Sequence, residues 1–237
     1  MLIFLDLETT GLEEIDKICS IAVIVQDEDS LHVEYDVVNE GKKIGSKASS
    51  INHITNEMLK NKPKLEDSKT YKYLQEHNNK DNVLIAHNIK YDLKMLDQVG
   101  FKWYGEIIDT LRCTKHLIAE CEQFSLQFLR YELQLYKQEI ALASTCSVNI
   151  QPHNALSDAL HVKLLYQYLY DISSLAGLLD LSSKNVLMQK LEFGKYSGRY
   201  IEDISMNDRG YLEWMLGNIL DLDEDLRYSI DYYLQGN

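Results

Sequence analysis

Residues 4–14 read FLDLETTGLEE, the chemistry of a buried strand interrupted by two carboxylates, Asp6 and Glu8. Successive side chains of a strand alternate between faces, so Asp6 and Glu8 share one. Two like charges side by side are costly unless something positive sits between them. Mg²⁺ and Mn²⁺, which choose hard oxygen ligands, are the simplest candidates.

Outward from this stretch, residues 2–8, 18–26 and 31–38 are rich in Ile, Val, Leu and Tyr and read as three strands joined by Gly or acidic turns. Connections this short make an antiparallel meander. Helices are expected around 56–61 and 67–77, followed by a buried strand in NVLIAH, residues 82–87. From Tyr91 the apolar positions Leu93, Leu96 and Val99 recur at helical spacing, and Gly100 is placed to end that helix. Residues 126–133 read as a helix. Residues 158–172 read as an amphipathic one, with Leu160, Leu164, Leu165, Tyr168 and Leu169 on one side. Strands first, then alternating helices and strands, define an α/β chain with a mixed sheet flanked by helices.

Ser and Gly accumulate and the periodicity weakens over 173–185, which reads as a linker between a domain at 1–172 and a small C-terminal α+β module at 186–237. In that module LEFGKYSGRYIEDI reads as a hairpin turned at Ser197-Gly198, with two helices following near 207–217 and 223–234.

The 237 residues, 45% hydrophobic and 26% charged with two prolines, describe a folded protein rather than a disordered one. No apolar run approaches the ~18 residues of a membrane span, and the apolar start breaks at Asp6 before it can act as a signal sequence. A cytoplasmic protein without membrane association is expected. Cys19, Cys113, Cys121 and Cys146 show neither CxxC pairing nor zinc-ligand spacing and read as reduced thiols. The net charge of −13 argues against a broad basic surface for nucleic acid. A polyanion would need metal ions or small patches such as Lys42/Lys43/Lys47, Lys60/Lys62/Lys64 and Lys195/Arg199, each of which reads equally well as a solvated loop.

Three more residues stand out. Asp92, in AHNIKYDLKML, opens a helix after a buried strand, where a carboxylate suits both the helix terminus and a metal. His153 and Asp158, in QPHNALSDAL, would lie about 140° apart within one helix, so His153 is placed in the loop after Pro152 and Asp158 at the helix start. Standing alone, each reads equally as a cap or an exposed side chain. The hexapeptide Asp6-x-Glu8-Thr9-Thr10-Gly11 is more specific, arising by chance roughly once in three million windows under equal residue usage.

In order, Asp6-x-Glu8-Thr9-Thr10-Gly11, His87-Asn88-x-x-Tyr91-Asp92 and His153-x-x-x-x-Asp158-Ala159 resemble the three motifs of the DEDDh (DnaQ-like) 3'-to-5' exonucleases, over about residues 1–170. FGKYSGRYIEDI followed by YLEWML resembles the C-terminal segment of the bacterial exonuclease X family. The resemblance implies a ribonuclease-H-like fold in which four carboxylates hold two Mg²⁺ or Mn²⁺ ions. Asp6, Glu8 and Asp158 would hold the ion that carries the attacking water, and Asp6 with Asp92 the ion at the leaving oxygen. Phosphodiester hydrolysis by in-line attack asks for the same arrangement, with the ions about 4 Å apart. His153 is implied as the base, a role that suits the near-neutral titration of imidazoles.

By the same resemblance, Thr9, Thr10, Gly11 and Leu12 form a turn whose N–H groups grip the 3'-terminal nucleotide while Leu12 packs on its base. Asn88 approaches the sugar or phosphate. Asn52, in INHIT where relatives often read I-H-x-I-T, faces the substrate strand. Two departures are noted: Tyr91 replaces the usual phenylalanine, and Ser20 stands where many members carry Glu. The implied activity is metal-dependent 3'-to-5' hydrolysis of DNA, single-stranded or duplex at its 3' end, to nucleoside 5'-monophosphates in repair or end processing. Two alternatives stay open: RNA as substrate, and a proofreading subunit bound to a DNA polymerase or a repair partner. Against the second, Tyr211, Trp214, Met215 and Leu216 make the tail read as folded. Lys195, Tyr196 and Arg199 read either as a single-stranded DNA platform or as part of a packing module.

Overall fold

The computed structural model describes residues 1–28 and 30–236, in two compact units divided between Ser182 and Ser183. In the first unit, β1 (Leu2–Thr9), β2 (Ile18–Asp27) and β3 (Ser30–Val37) form the expected antiparallel meander. There follow α1 (Ser46–Asn52), α2 (Asn56–Leu59), a 3₁₀ turn at Leu65–Asp67, α3 (Lys69–Glu76), β4 (Val83–Ala86), α4 (Ile89–Asp97) and β5 (Glu106–Asp109). The remaining helices of the unit are α5 (Thr110–Leu117), α6 (Leu126–Glu132), α7 (Tyr136–Cys146), α8 (Ala155–Ile172) and α9 (Leu175–Ser183). β4 pairs parallel with β1, and β5 parallel with β4, giving one mixed sheet in the order β3-β2-β1-β4-β5.

The period-2 pattern of β1 sorts its residues onto two cores. Ile3, Leu5 and Leu7 join Tyr71 and Leu74 of α3 and Met95 and Leu96 of α4 on one face. Phe4 joins Ala22, Ile24 and the leucines of α8 on the other. Asp6 and Glu8 continue the Phe4 face, toward the end of the sheet that α8 covers.

Helix α8 begins three residues before its expected start. The Asn154 side chain accepts from the Leu156 and Ser157 N–H groups and caps it, so Asp158 sits in the first turn and His153 just outside. The helix is also buried on more sides than a single stripe: Tyr166 packs against Phe4 with ring centroids 5.5 Å apart, whereas Tyr168 is exposed. Truncating a fully buried leucine such as Leu165 costs about 2–5 kcal/mol.

The segment read as a linker, 173–185, is mostly α9. Leu175, Leu178 and Leu179 recur at helical spacing beneath the Ser and Gly residues that disguise them, and Leu178 is fully buried in the first unit's core. Ser182 Oγ accepts the Asp109 N–H at 2.9 Å.

The second unit carries α10 (Ile201–Asn207), α11 (Arg209–Asn218) and α12 (Glu224–Leu234), three helices rather than the two expected. The expected hairpin is reduced to an isolated bridge between Lys190 and Tyr200, with Gly194 and Gly198 at positive φ. Leu191, Ile201, Leu212, Met215, Leu226 and Ile230 form its core. Lys195 and Tyr196 both bind the Asp208 carboxylate, and Tyr196 meets Tyr211 edge to face at 5.1 Å. Among the described residues no helix is long and apolar enough to cross a membrane.

Candidate active site

The sequence places Asp6 and Glu8 on adjacent outward positions of one strand face, and β2 supplies small residues opposite them: Ala22 beside Asp6 and Ser20 beside Glu8. The first turn of α8 then brings in Asp158. Carboxylate oxygens of Asp6, Glu8 and Asp158 all lie within 4.8 Å of one another. Asp92, buried in the first turn of α4 just past β4, lies near enough to Asp6 to raise its carboxyl.

Four carboxylates in such company cannot all ionise comfortably. Burial first, and then Asp158, Asp92 and Glu8, hold the Asp6 carboxyl well above the usual range. Burial and Asp158 push Glu8 up to about 8, against a hydrogen bond from Asn52 that pulls it down. Asp92 is likewise raised, by burial foremost and then by Asp109 and Glu8. A cluster of oxygen donors with no thiol or imidazole in it, strained by its own charge, fits a hard divalent cation and not a soft one.

The turn after β1 is held by its own side chains. Thr9 Oγ1 donates to the Gly11 carbonyl at 2.6 Å and lies 2.9 Å from the Tyr91 hydroxyl, which itself donates to the Gly11 carbonyl at 3.1 Å. The extra hydroxyl of Tyr91 therefore braces the turn. Thr10 Oγ1 donates to Asp16 at 2.7 Å, and its N–H goes to the Lys17 carbonyl at 2.9 Å. Asp16 is buried, pairs with Lys42 at 2.6 Å and sits so close to Gly11 that an added Cβ would meet its carboxylate oxygen at 2.5 Å. Glycine is required there for space. The Gly11 and Leu12 N–H groups make no hydrogen bond among the described residues, and the Leu12 side chain is 82% exposed.

Asn88 is exposed in the left-handed region (φ 69°), held there by its N–H on Asp109 Oδ1 at 3.0 Å. Asn52 departs from expectation. It is buried, and its amide donates to the Thr9 carbonyl at 3.2 Å while its oxygen accepts the Ile54 N–H at 3.1 Å. With both ends of its amide engaged inside the fold, it braces the end of β1 rather than facing a substrate strand. His153 is exposed at φ 53° in the turn before α8, and its ring makes no hydrogen bond to the carboxylates among the described residues.

The exonuclease family model RNase_T matches residues 3–166, more than two thirds of the chain. The chain belongs to the exonuclease family. A model of the exodeoxyribonuclease X-like C-terminal region matches residues 191–219 of this exonuclease. The chain is 28% identical to exodeoxyribonuclease 10 of Escherichia coli K12, over 99% of both chains, and 25% identical to the PolC-type DNA polymerase III of Thermotoga maritima, over 88% of this chain and 15% of that one. Among solved structures it is similar to exonuclease X in complex with 5' overhanging duplex DNA, with a TM-score of 0.58 and 22% identity over 77% of this chain and all of that one. The exonuclease has the ribonuclease-H-like fold that the motif order implied.

Several residues around the site carry no motif. Asp109 caps α5 and fixes Asn88, while Gln127, Glu139 and Arg130 surround Asp158 from α6 and α7. Only His161 leaves a trace in the sequence, three residues beyond Asp158 and thus on the same helix face. Of the lysines considered for a polyanion, Lys42 and Lys195 are committed to Asp16 and Asp208.

Proposed function

We propose that this exonuclease hydrolyses DNA from the 3' end, releasing nucleoside 5'-monophosphates with two Mg²⁺ or Mn²⁺ ions held by Asp6, Glu8, Asp92 and Asp158. The observation that carries the reading is the convergence of Asp6, Glu8 and Asp158 within 4.8 Å in a chain that aligns end to end with an exodeoxyribonuclease. When bound, the ions supply Lewis acidity for the attacking water and the departing 3' oxygen.

The chain's own residues do the rest. Asp6, central to the cluster, would contribute to both ion positions. The free N–H groups of Gly11 and Leu12 bind the terminal nucleotide, and Leu12 offers its exposed side chain to the base, a contact that tolerates any sequence. Asn88, with its side chain in solvent and its backbone pinned by Asp109, meets the sugar or phosphate. His153, on the turn leading into α8, takes the proton of the attacking water; such contacts are often loose without substrate. Residues 1–182 carry this chemistry, and 183–237 form an accessory module. Repair or end processing is the setting this activity fits.

The test is release of mononucleotides from 3'- and 5'-labelled DNA and RNA oligomers with Mg²⁺, Mn²⁺ or EDTA, comparing the chain with Asp6→Ala and His153→Ala. Metal-dependent shortening of DNA from the 3' end, lost in both variants, is the expected result. Faster RNA cleavage would reassign the substrate, and no cleavage at all would refute the reading.

A further inference from the structure

Behind Asp158 five side chains close a ring that no part of the proposed reaction uses. Gln127 Nε2 donates to Asp158 Oδ1 at 2.7 Å, and His161 Nδ1 lies 3.3 Å from the same oxygen. His161 Nε2 faces Glu139 Oε2 at 3.1 Å. Arg130 grips Glu139 with two bonds, Nε to Oε2 at 2.6 Å and Nη2 to Oε1 at 2.7 Å, and its Nη1 returns to Gln127 Oε1 at 3.3 Å. The ring draws on α6, α7 and α8, and Arg130, Glu139, Asp158 and His161 are all buried, His161 completely.

Both contacts to Asp158 land on Oδ1; among the described residues Oδ2 accepts none. A carboxylate beside Asp6 and Glu8 is repelled by its neighbours and, left to itself, would rotate away from them. The Gln127 bond and the His161 contact, both on one oxygen, fix the side-chain torsions and leave the second oxygen unengaged. These partners are themselves fixed: the Gln127 amide by Arg130, the His161 ring by its contact with Glu139, and Glu139 by the bidentate guanidinium, a geometry that is directional as well as strong.

We propose that Gln127 and His161 are positioning residues for Asp158, anchored by the Arg130–Glu139 pair, so that α6 and α7 set the chain's affinity for its divalent ion. The proposal rests on Asp158 being a metal ligand. Partners that orient a ligand typically govern metal affinity or activity by about 10–100-fold.

The experiment measures Mn²⁺ binding to the full chain, without DNA, from the electron paramagnetic resonance of free Mn²⁺. Variants are Gln127→Ala, His161→Leu, His161→Asn and, as reference, Asp158→Asn, with thermal melting alongside. Gln127 is only partly buried, so Gln127→Ala is expected to fold. Binding is expected to weaken at least about tenfold in Gln127→Ala and His161→Leu and to recover in part in His161→Asn, whose amide keeps a polar group facing Asp158. Wild-type affinity in Gln127→Ala and His161→Leu, with Asp158→Asn impaired, would overturn the proposal and leave the site reading intact. Equal losses in His161→Leu and His161→Asn that follow melting temperature would also overturn it, reducing the ring to a fold support. Wild-type affinity in Asp158→Asn would instead overturn the site reading.

Discussion

Two buried polar clusters meet at Asp158, and they are built on opposite principles. On the sheet side, Asp6, Glu8, Asp92 and Asp158 bring like charges together, and burial and mutual repulsion raise the Asp6, Glu8 and Asp92 carboxyls. On the helix side, hydrogen bonding to Arg130 holds Glu139 below the usual carboxylate range, and Glu139 in turn holds the guanidinium firmly charged. The first cluster lacks the counter-charge that the second carries within itself. The repulsion in the proposed metal site is left uncompensated by the chain, while the scaffold behind it is already satisfied.

The contrast breaks most sharply at Asp6. Asp6→Ala is expected to lower the hydrolysis rate by about 10⁴-fold, roughly 5 kcal/mol of transition-state stabilisation, while the metal-free protein melts higher because a carboxyl whose ionisation is opposed by burial and its neighbours is gone. Steady-state rates and melting in EDTA check both halves. Arg130→Met does the reverse on the helix side. It leaves Glu139 buried without its guanidinium partner, with the His161 ring still beside it, at a cost of about 3–5 kcal/mol. A fall of about 10 °C in melting temperature is the expected readout.

Titration separates the clusters by sign. Glu8 holds its proton up to about 8 in the folded chain but only to its ordinary 4.5 when unfolded. The metal-free protein therefore loses stability as pH rises from about 4.5 to 8, by a few kcal/mol once the partial exposure of Glu8 is allowed for. Glu139 acts oppositely: its contribution is present above the ordinary carboxylate value and is lost as pH falls below it. Urea unfolding in EDTA at several pH values measures both slopes, and Mn²⁺ should flatten the one above pH 4.5.

Smaller effects sharpen the picture. Asn52→Ala removes the partner of the Thr9 carbonyl and of the Ile54 N–H and should cost about 1–3 kcal/mol in urea unfolding. Tyr91→Phe deletes the hydroxyl on Thr9 and Gly11; about 1 kcal/mol is expected, read as a higher KM with kcat nearly unchanged.

The Asp6 and Glu8 half of the sheet-side cluster is legible in the amino-acid sequence, because strand alternation is a local rule and they obey it, while Asp92 and Asp158 join them in sequence only through the family resemblance. The helix-side ring is not. Gln127 and Glu139 reach Asp158 and His161 across 31 and 22 residues, and nothing in their neighbourhoods marks the contact. Elements follow the same division. β1 to β3 carry long runs rich in Ile, Val, Leu and Tyr whose ends can be read nearly to the residue, whereas β5 has only four residues and α7 lacks a clean apolar face. Asn52 is misleading in sequence because a motif position conveys which residue is near the site but not which way it faces.

The turn after β1 has a further consequence. Its two ends are fastened by the Thr10 N–H on the Lys17 carbonyl and by the Asp16 carboxylate on Thr10 and on the Glu13 N–H, yet between them Leu12 and Ile15 stand 82% and 66% exposed. The tip is thus an interchangeable part on a fixed mount. Its apolar side chains are open to evolutionary change without disturbing the strand that bears Asp6 and Glu8.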